Sequence, residues 1–221
     1  MKTTLRPIVL ATAVALATPM AAQAEFSANI GVTSNYLFRG VTQTNDAAAV
    51  SGGLDYSNDS GVYAGTWLSN VDYGNPGNQY EQDWYLGYGF KMGGVDLDAG
   101  YIKFTYPIRN VNLDYDEIYL NASMGAFNGG LAYTVRKEGN PAKENDIYFH
   151  LGAEFEIKKG VVVGVTVGRY DYDDDVANTD YSHGQLSVSK DDFTLAMDKN
   201  NLSGAAGDAR FSVSWSKSFD L

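Results

Sequence analysis

The chain contains no cysteine and only two histidines, His150 and His183, among its 221 residues. The first absence removes any disulfide framework and any thiolate nucleophile. The second excludes a multi-histidine metal centre. Basic residues are also scarce: 16 lysines and arginines stand against 27 aspartates and glutamates, a formal charge of −11. Such a balance argues against a nucleic-acid partner. After the first two dozen residues no apolar run reaches the length of a spanning helix. Any membrane crossing must therefore be made by strands.

What is present begins with a leader. Lys2 and Arg6 form a positive start, Ile8 to Ala17 a short apolar core, and Ala22-Gln23-Ala24 a small-x-small cleavage site. Residues 1–24 are read as a signal peptide, and residues 25–221 as a single domain. Removing Lys2 and Arg6 takes the charge from −11 to −13.

Strand periodicity is plainest between Asp146 and Gly168. Ile147, Phe149, Leu151, Ala153, Phe155 and Ile157 alternate with Tyr148, His150, Gly152, Glu154 and Glu156. Lys158-Lys159-Gly160 turns the chain, and Val161, Val163, Val165 and Val167 alternate with Val162, Gly164, Thr166 and Gly168. A period of two means that successive side chains point to opposite faces of a strand. Each run is near the nine to eleven residues, roughly, that a tilted strand needs to cross a bilayer.

The pattern recurs along the chain. Phe26, Ala28, Ile30 and Val32 open a strand that is expected to continue through Ser34 to Thr44. Further strands follow around 48–56, 62–69, 83–90, 95–101, 117–124, 131–136, 181–189, 193–199 and 211–221. For 62–69 both faces are apolar, so its outside is unassigned. The total is twelve, with connections alternating strictly between short and long. Transmembrane barrels have this asymmetry, with tight periplasmic turns, longer extracellular loops and an even strand count. The fold class expected is an all-β, antiparallel up-and-down transmembrane barrel. Tyr36, Phe38, Trp67, Trp84, Tyr101, Tyr133 and Tyr170 lie near the long loops, and Tyr56, Tyr88, Phe90, Phe127, Phe155, Phe193 and Phe219 near the short turns. They are read as the two interfacial girdles.

The segment SNYLFRGVTQT (34–44), close behind a leader, resembles the signature of the TorF-type porin family of proteobacteria. Further likeness lies in GGLDYSNDSGVYAGTWLSNVDYG (52–74) and SVSWSKSF (212–219). The resemblance implies an outer-membrane barrel of no established substrate, and it supplies no catalytic or ligand residues. This chain departs by running two residues past Phe219.

No residue pattern supports catalysis, and no cofactor is expected. The acidic stretch 171–180 lacks the order of a calcium loop and reads as a solvated face. Alternation instead directs attention to the lumen. The residues expected to line it or its constriction are Asn35, Arg39, Asp96, Asp98, Glu117, Arg136, His150, Glu154 and Arg210, with Asp83, Glu156, His183 and Asp198 in the same phase. Arg39 is expected to face acids such as Glu117 across the lumen. Acids outnumber arginines, and acidic rings favour cations. The expected function is a narrow diffusion channel for ions or small polar solutes, with a weak cation preference and outer-membrane lipid as its surroundings. A closed structural or loop-binding barrel is the alternative, and a soluble exported ligand-binding barrel a third. A homo-oligomer is left open.

Overall fold

The computed structural model describes residues 25–74, 79–107, 113–139, 144–173 and 179–221. The leader, and residues 174–178 of the acidic stretch, lie outside them. Twelve antiparallel strands close into a barrel. They are β1 (Glu25–Thr33), β4 (Ala49–Ser57), β5 (Val62–Asn70), β6 (Tyr80–Met92), β7 (Val95–Thr105), β8 (Tyr115–Met124), β9 (Phe127–Lys137), β10 (Ile147–Lys158), β11 (Val161–Asp171), β12 (Tyr181–Lys190), β13 (Phe193–Asn200) and β14 (Arg210–Asp220). Each pairs with its neighbours in sequence, and β1 closes the ring on β14, from Ser27 opposite Asp220 to Thr33 opposite Ser214. The two remaining strands, β2 (Leu37–Phe38) and β3 (Val41–Thr42), form a hairpin of their own.

Closure removes the sheet edges along the barrel wall, so strand backbone groups there pair with both neighbours without water. The alternation then sorts side chains between two environments. Leu54, Leu86, Leu120, Leu151, Leu186, Leu195 and Val213 are among the large apolar residues exposed on the outer face. The inner face carries acids, serines, asparagines, tyrosines and glycines.

Two features of this sorting differ from simple alternation. The first strand ends at Thr33, and residues 35–44 turn into the barrel instead of continuing the wall. Tyr36, Leu37 and Arg39 are each 7% exposed or less. Second, Asp116 pairs with Arg136 while Glu117 pairs with Thr134, so Val135 is an unpaired extra residue. This β-bulge reverses the phase of the end of β9. Arg136 therefore points outward with Asp116, and Lys137, opposite Tyr115, takes the inward place.

The orientation of β5 is settled by its contacts. Tyr63 reaches Asp98 and Trp67 meets Tyr36, so both point inward and Val62, Ala64, Thr66 and Leu68 outward. Trp67, Tyr36, Phe38 and Tyr170 thus belong to the interior packing and not to a girdle. The aromatics at the short-turn end do face outward, with Phe26 on Tyr56 at 5.1 Å and Tyr88 on Phe90 at 5.5 Å between ring centres.

Inward tyrosines pack on glycines. Tyr85 lies opposite Gly65, Tyr63 opposite Gly87 and Tyr119 opposite Gly100. A Cβ at any of these glycines would collide with the facing ring. The missing side chain lets each ring lie along the wall, and its hydroxyl reaches across.

Candidate functional site

The short-turn half and the long-loop half of the lumen are built differently. Toward the short turns the inner wall is Ser27, Asn29, Gly53, Asn121, Ser123, Asn128, Thr194, Ser212, Ser214 and Ser216, all partly exposed. Asp96 sits here beside Lys91 at 3.0 Å, both largely exposed. Glu154, inward on β10, is half-buried. This half is a polar vestibule.

Its floor is a layer of tyrosine–carboxylate bonds. Tyr63 Oη donates to Asp98 Oδ1 at 2.5 Å, and Tyr63 and Tyr119 hydroxyls share a bond of the same length. Tyr85 Oη donates to Asp55 Oδ1 at 2.5 Å, with Asn29 Nδ2 on the other oxygen at 3.1 Å. Asn121 Nδ2 supports Asp98 at 3.3 Å.

Above the floor, residues 35–44 fold into the lumen, while Ser34 stays on the β1–β14 seam and residues 45–48 are exposed. The β2–β3 hairpin turns at Arg39-Gly40, whose φ values are +50° and +79°. Positive φ at both central residues is what a two-residue type I′ turn requires. Glycine adopts it freely, and only glycine fits, since a Cβ on Gly40 would lie 2.6 Å from that of His183. Arginine in this region carries backbone strain, which persists only where its surroundings over-determine it.

Those surroundings are specific. Arg39 Nη1 and Nη2 donate to Glu117 Oε1 and Oε2 at 2.8 and 2.6 Å. The guanidinium carbon lies 4.1 Å from the ring centre of Tyr148, 4.7 Å from Phe38 and 5.2 Å from Tyr170. Tyr148 in turn stacks on His183 and His150 and exchanges a 2.9 Å hydrogen bond with His183 Nε2. Asn200 Nδ2 holds the Gly40 carbonyl at 2.8 Å.

At its base the segment is tied to itself and to the wall. Asn35 Oδ1 accepts from Thr42 Oγ1 at 2.7 Å, and Asn35 Nδ2 donates to Asp46 at 2.8 Å. Asp46 receives Arg210 Nε at 2.6 Å and Nη2 at 3.2 Å. These bonds hold the Asp46 carboxyl below the usual carboxylate range, the one from Arg210 contributing most.

The structure brings Arg39, Glu117 and His150 into one cluster, and Asn35 and Arg210 into a second around Asp46. Asp98 belongs to the floor, Asp96 and Glu154 to the vestibule. Arg136 is outside the lumen, paired with Asp116 at 2.8 Å, for the reason given by the bulge. Sequence reasoning missed Tyr148, Tyr170, Glu81 and Lys137. Tyr148 was in the inward phase, and its place opposite the barrel's glycine-rich strands was the available signal. In the acidic stretch, Arg169 meets Asp171 at 2.6 Å and Asp180 at 3.3 Å.

A closed antiparallel barrel with an apolar exterior and a charged, polar interior is the architecture of transmembrane β-barrels. Residues 17–207 match the model of a family described as bacterial proteins of unknown function (Gcw_chp), and the chain belongs to that family. No curated protein matches it. Among solved structures, the KdgM porin shares the fold with a TM-score of 0.58 at 9% identity, covering 87% of this chain and 99% of that one. The KdgM porin in complex with disordered oligogalacturonate gives 0.56 at 9%, covering 88% and 99%. A chain solved in work on the in-meso crystallization of membrane proteins gives 0.56 at 8%, covering 89% and 84%.

Proposed function

We propose that the protein is an outer-membrane channel, exported through its leader, that passes ions or small polar solutes with a cation preference. In this reading the short turns face the periplasm, outer-membrane lipid covers the apolar wall, and residues 35–44 form the constriction. The observation that carries it is the polar vestibule ending on an inward-folded hairpin within a closed barrel. The finer likeness of SNYLFRGVTQT to TorF-type porins supports it, because that segment is the hairpin itself. Oligogalacturonate, named with the KdgM porin, is a polyanion. The acids Asp55, Glu81, Asp83, Asp98, Glu154 and Asp198 inside this barrel, none of them paired with a described lysine or arginine, disfavour such a solute and favour cations.

Packing of the hairpin against the wall favours a second reading, a closed structural barrel. Planar-bilayer conductance under a salt gradient separates the two. Small cation-selective steps are expected for the wild type, larger steps when 36–44 is replaced by a short Gly-Ser linker, and a more cation-selective reversal potential for Arg39→Ala. Silence from both wild type and linker variant would leave the closed barrel. An unchanged reversal potential in Arg39→Ala would remove Arg39 from the constriction.

A further inference from the structure

Glu117, Tyr148 and Tyr170 project from three wall strands, β8, β10 and β11, onto one point of the lumen, and each is buried. What occupies that point is not part of the wall. The Arg39 guanidinium lies in the fork of the Glu117 carboxylate, at 2.8 and 2.6 Å. It stands 4.1 Å from the Tyr148 ring centre and 5.2 Å from that of Tyr170. The two wall rings are held by contacts that do not involve the hairpin. Tyr148 bonds to His183 Nε2 and stacks on that ring at 5.8 Å, and Tyr170 stacks on Tyr181 at 5.9 Å. Arg39, by contrast, arrives on a turn with φ +50°, a strain that is relieved when it leaves.

We propose that this cage is a binding site for a guanidinium-bearing solute, and that Arg39 fills it as a built-in competitor that keeps the hairpin docked. A solute of that class takes the same two carboxylate oxygens, supplies the counter-charge that buried Glu117 needs, and frees the hairpin. A planar cation with two parallel N–H donors fits the fork bidentately and offers its faces to the rings. A primary ammonium, a compact and strongly hydrated point charge, does not. His150, partly exposed and stacked on Tyr148 at 5.7 Å, connects the cage to the vestibule. A tethered competitor acts at an effective concentration of about millimolar or more, so displacement begins at millimolar solute. The site names a solute class for the proposed channel; its passage rests on that reading, its binding does not.

Chymotryptic cleavage of the folded wild type in detergent, read by fragment mass, reports the hairpin through Tyr36, Leu37 and Phe38. Tyr36 and Leu37 are buried when it is docked. Methylguanidinium chloride is the probe, and methylammonium chloride at equal ionic strength the control. Cleavage at 36–38 is expected to accelerate roughly five-fold, saturably, in the first salt and not in the second, since proteolysis follows the open population. Equal cleavage in the two salts would overturn the proposal. Arg39→Ala empties the cage and gives a second measurement. Its thermal midpoint is expected to rise by roughly 5 °C in methylguanidinium, at a lower concentration than wild-type cleavage requires. The double variant Arg39→Ala, Glu117→Gln is expected to show no rise. A rise shared by the double variant, or none in Arg39→Ala, would also count against the site. The wild-type comparison stands even where a variant misfolds. Neither readout is a current, so a barrel that binds methylguanidinium but never conducts would sink the channel and keep the site.

Discussion

The two halves of the lumen obey opposite packing rules under one strand pattern. The long-loop half is a protein core turned inside a membrane wall: rings, a bidentate ion pair and a strained turn, all buried. The short-turn half is lined by serine, asparagine and glycine that are partly exposed. The difference shows that a barrel's alternation decides only which side chains face inward. Whether the inside is filled depends on a segment that is not part of the wall.

The sharpest way to break this contrast is to unpair a charge in the buried half. Glu117→Gln leaves the Arg39 guanidinium buried beside a neutral amide. Removing one partner of a buried ion pair costs about 3–5 kcal/mol. Denaturant unfolding in detergent should show a loss of that order. A loss below about 1 kcal/mol would mean that water reaches the pair and that this half is not dry.

A pair of equal substitutions sharpens the comparison. Gly100→Ala drives a methyl group into Tyr119 and the Leu86 carbonyl, whereas at Gly89, nearer the turns, the nearest atom would lie 3.9 Å away. Overpacking of this kind costs about 1–3 kcal/mol, and an unopposed surface-like change usually stays within about 0.5 kcal/mol. Equal effects in an unfolding titration would show that the tyrosine–glycine layer is not a packed boundary.

The smallest effect is expected at the base of the plug, where Asp46 meets Arg210. A carboxyl whose folded value is depressed stabilises the fold above its ordinary range, and that contribution fades as pH falls through the folded value. The stability gap between wild type and Asp46→Asn should therefore be present at pH 6 and close as pH drops below about 4, the usual carboxylate range. A gap that persists in acid would assign the latch to hydrogen bonding independent of charge.

Much of the barrel was legible because lipid and lumen impose the same two-residue period on every strand. Leu151, Phe155, Val165 and Val167 face outward as their phase requires. The plug was not legible as a plug. Residues 34–44 read in sequence as one extended run, whereas in the structure only Leu37–Phe38 and Val41–Thr42 are strand; Arg39-Gly40, a turn-forming pair inside a strand-like run, marks the reversal. The bulge at Val135 left no compositional trace, since one extra residue moves Arg136 out and Lys137 in without altering the pattern before it. Tyr36, Trp67 and Tyr170 were misassigned to a girdle because an aromatic residue near a strand end suits either an interface or a packed interior. The contact of Arg39 with Glu117 was expected from a strand phase running through Thr44 that the structure does not have; the hairpin turn, and not the wall, brings the two together.

The hairpin's contacts span most of the sequence. Arg39 waits for Glu117, 78 residues later, and Gly40 for Asn200, 160 residues later. Ser34 bridges to Val213 across the seam where β1 meets β14. Long-range contacts of this kind form late, after the entropy of closing large loops has been met. The hairpin is thus made among the first residues of the domain but secured among the last. As the connection between β1 and β4 it enters from the long-loop mouth, so its docking waits for the wall strands that carry Glu117 and Asn200.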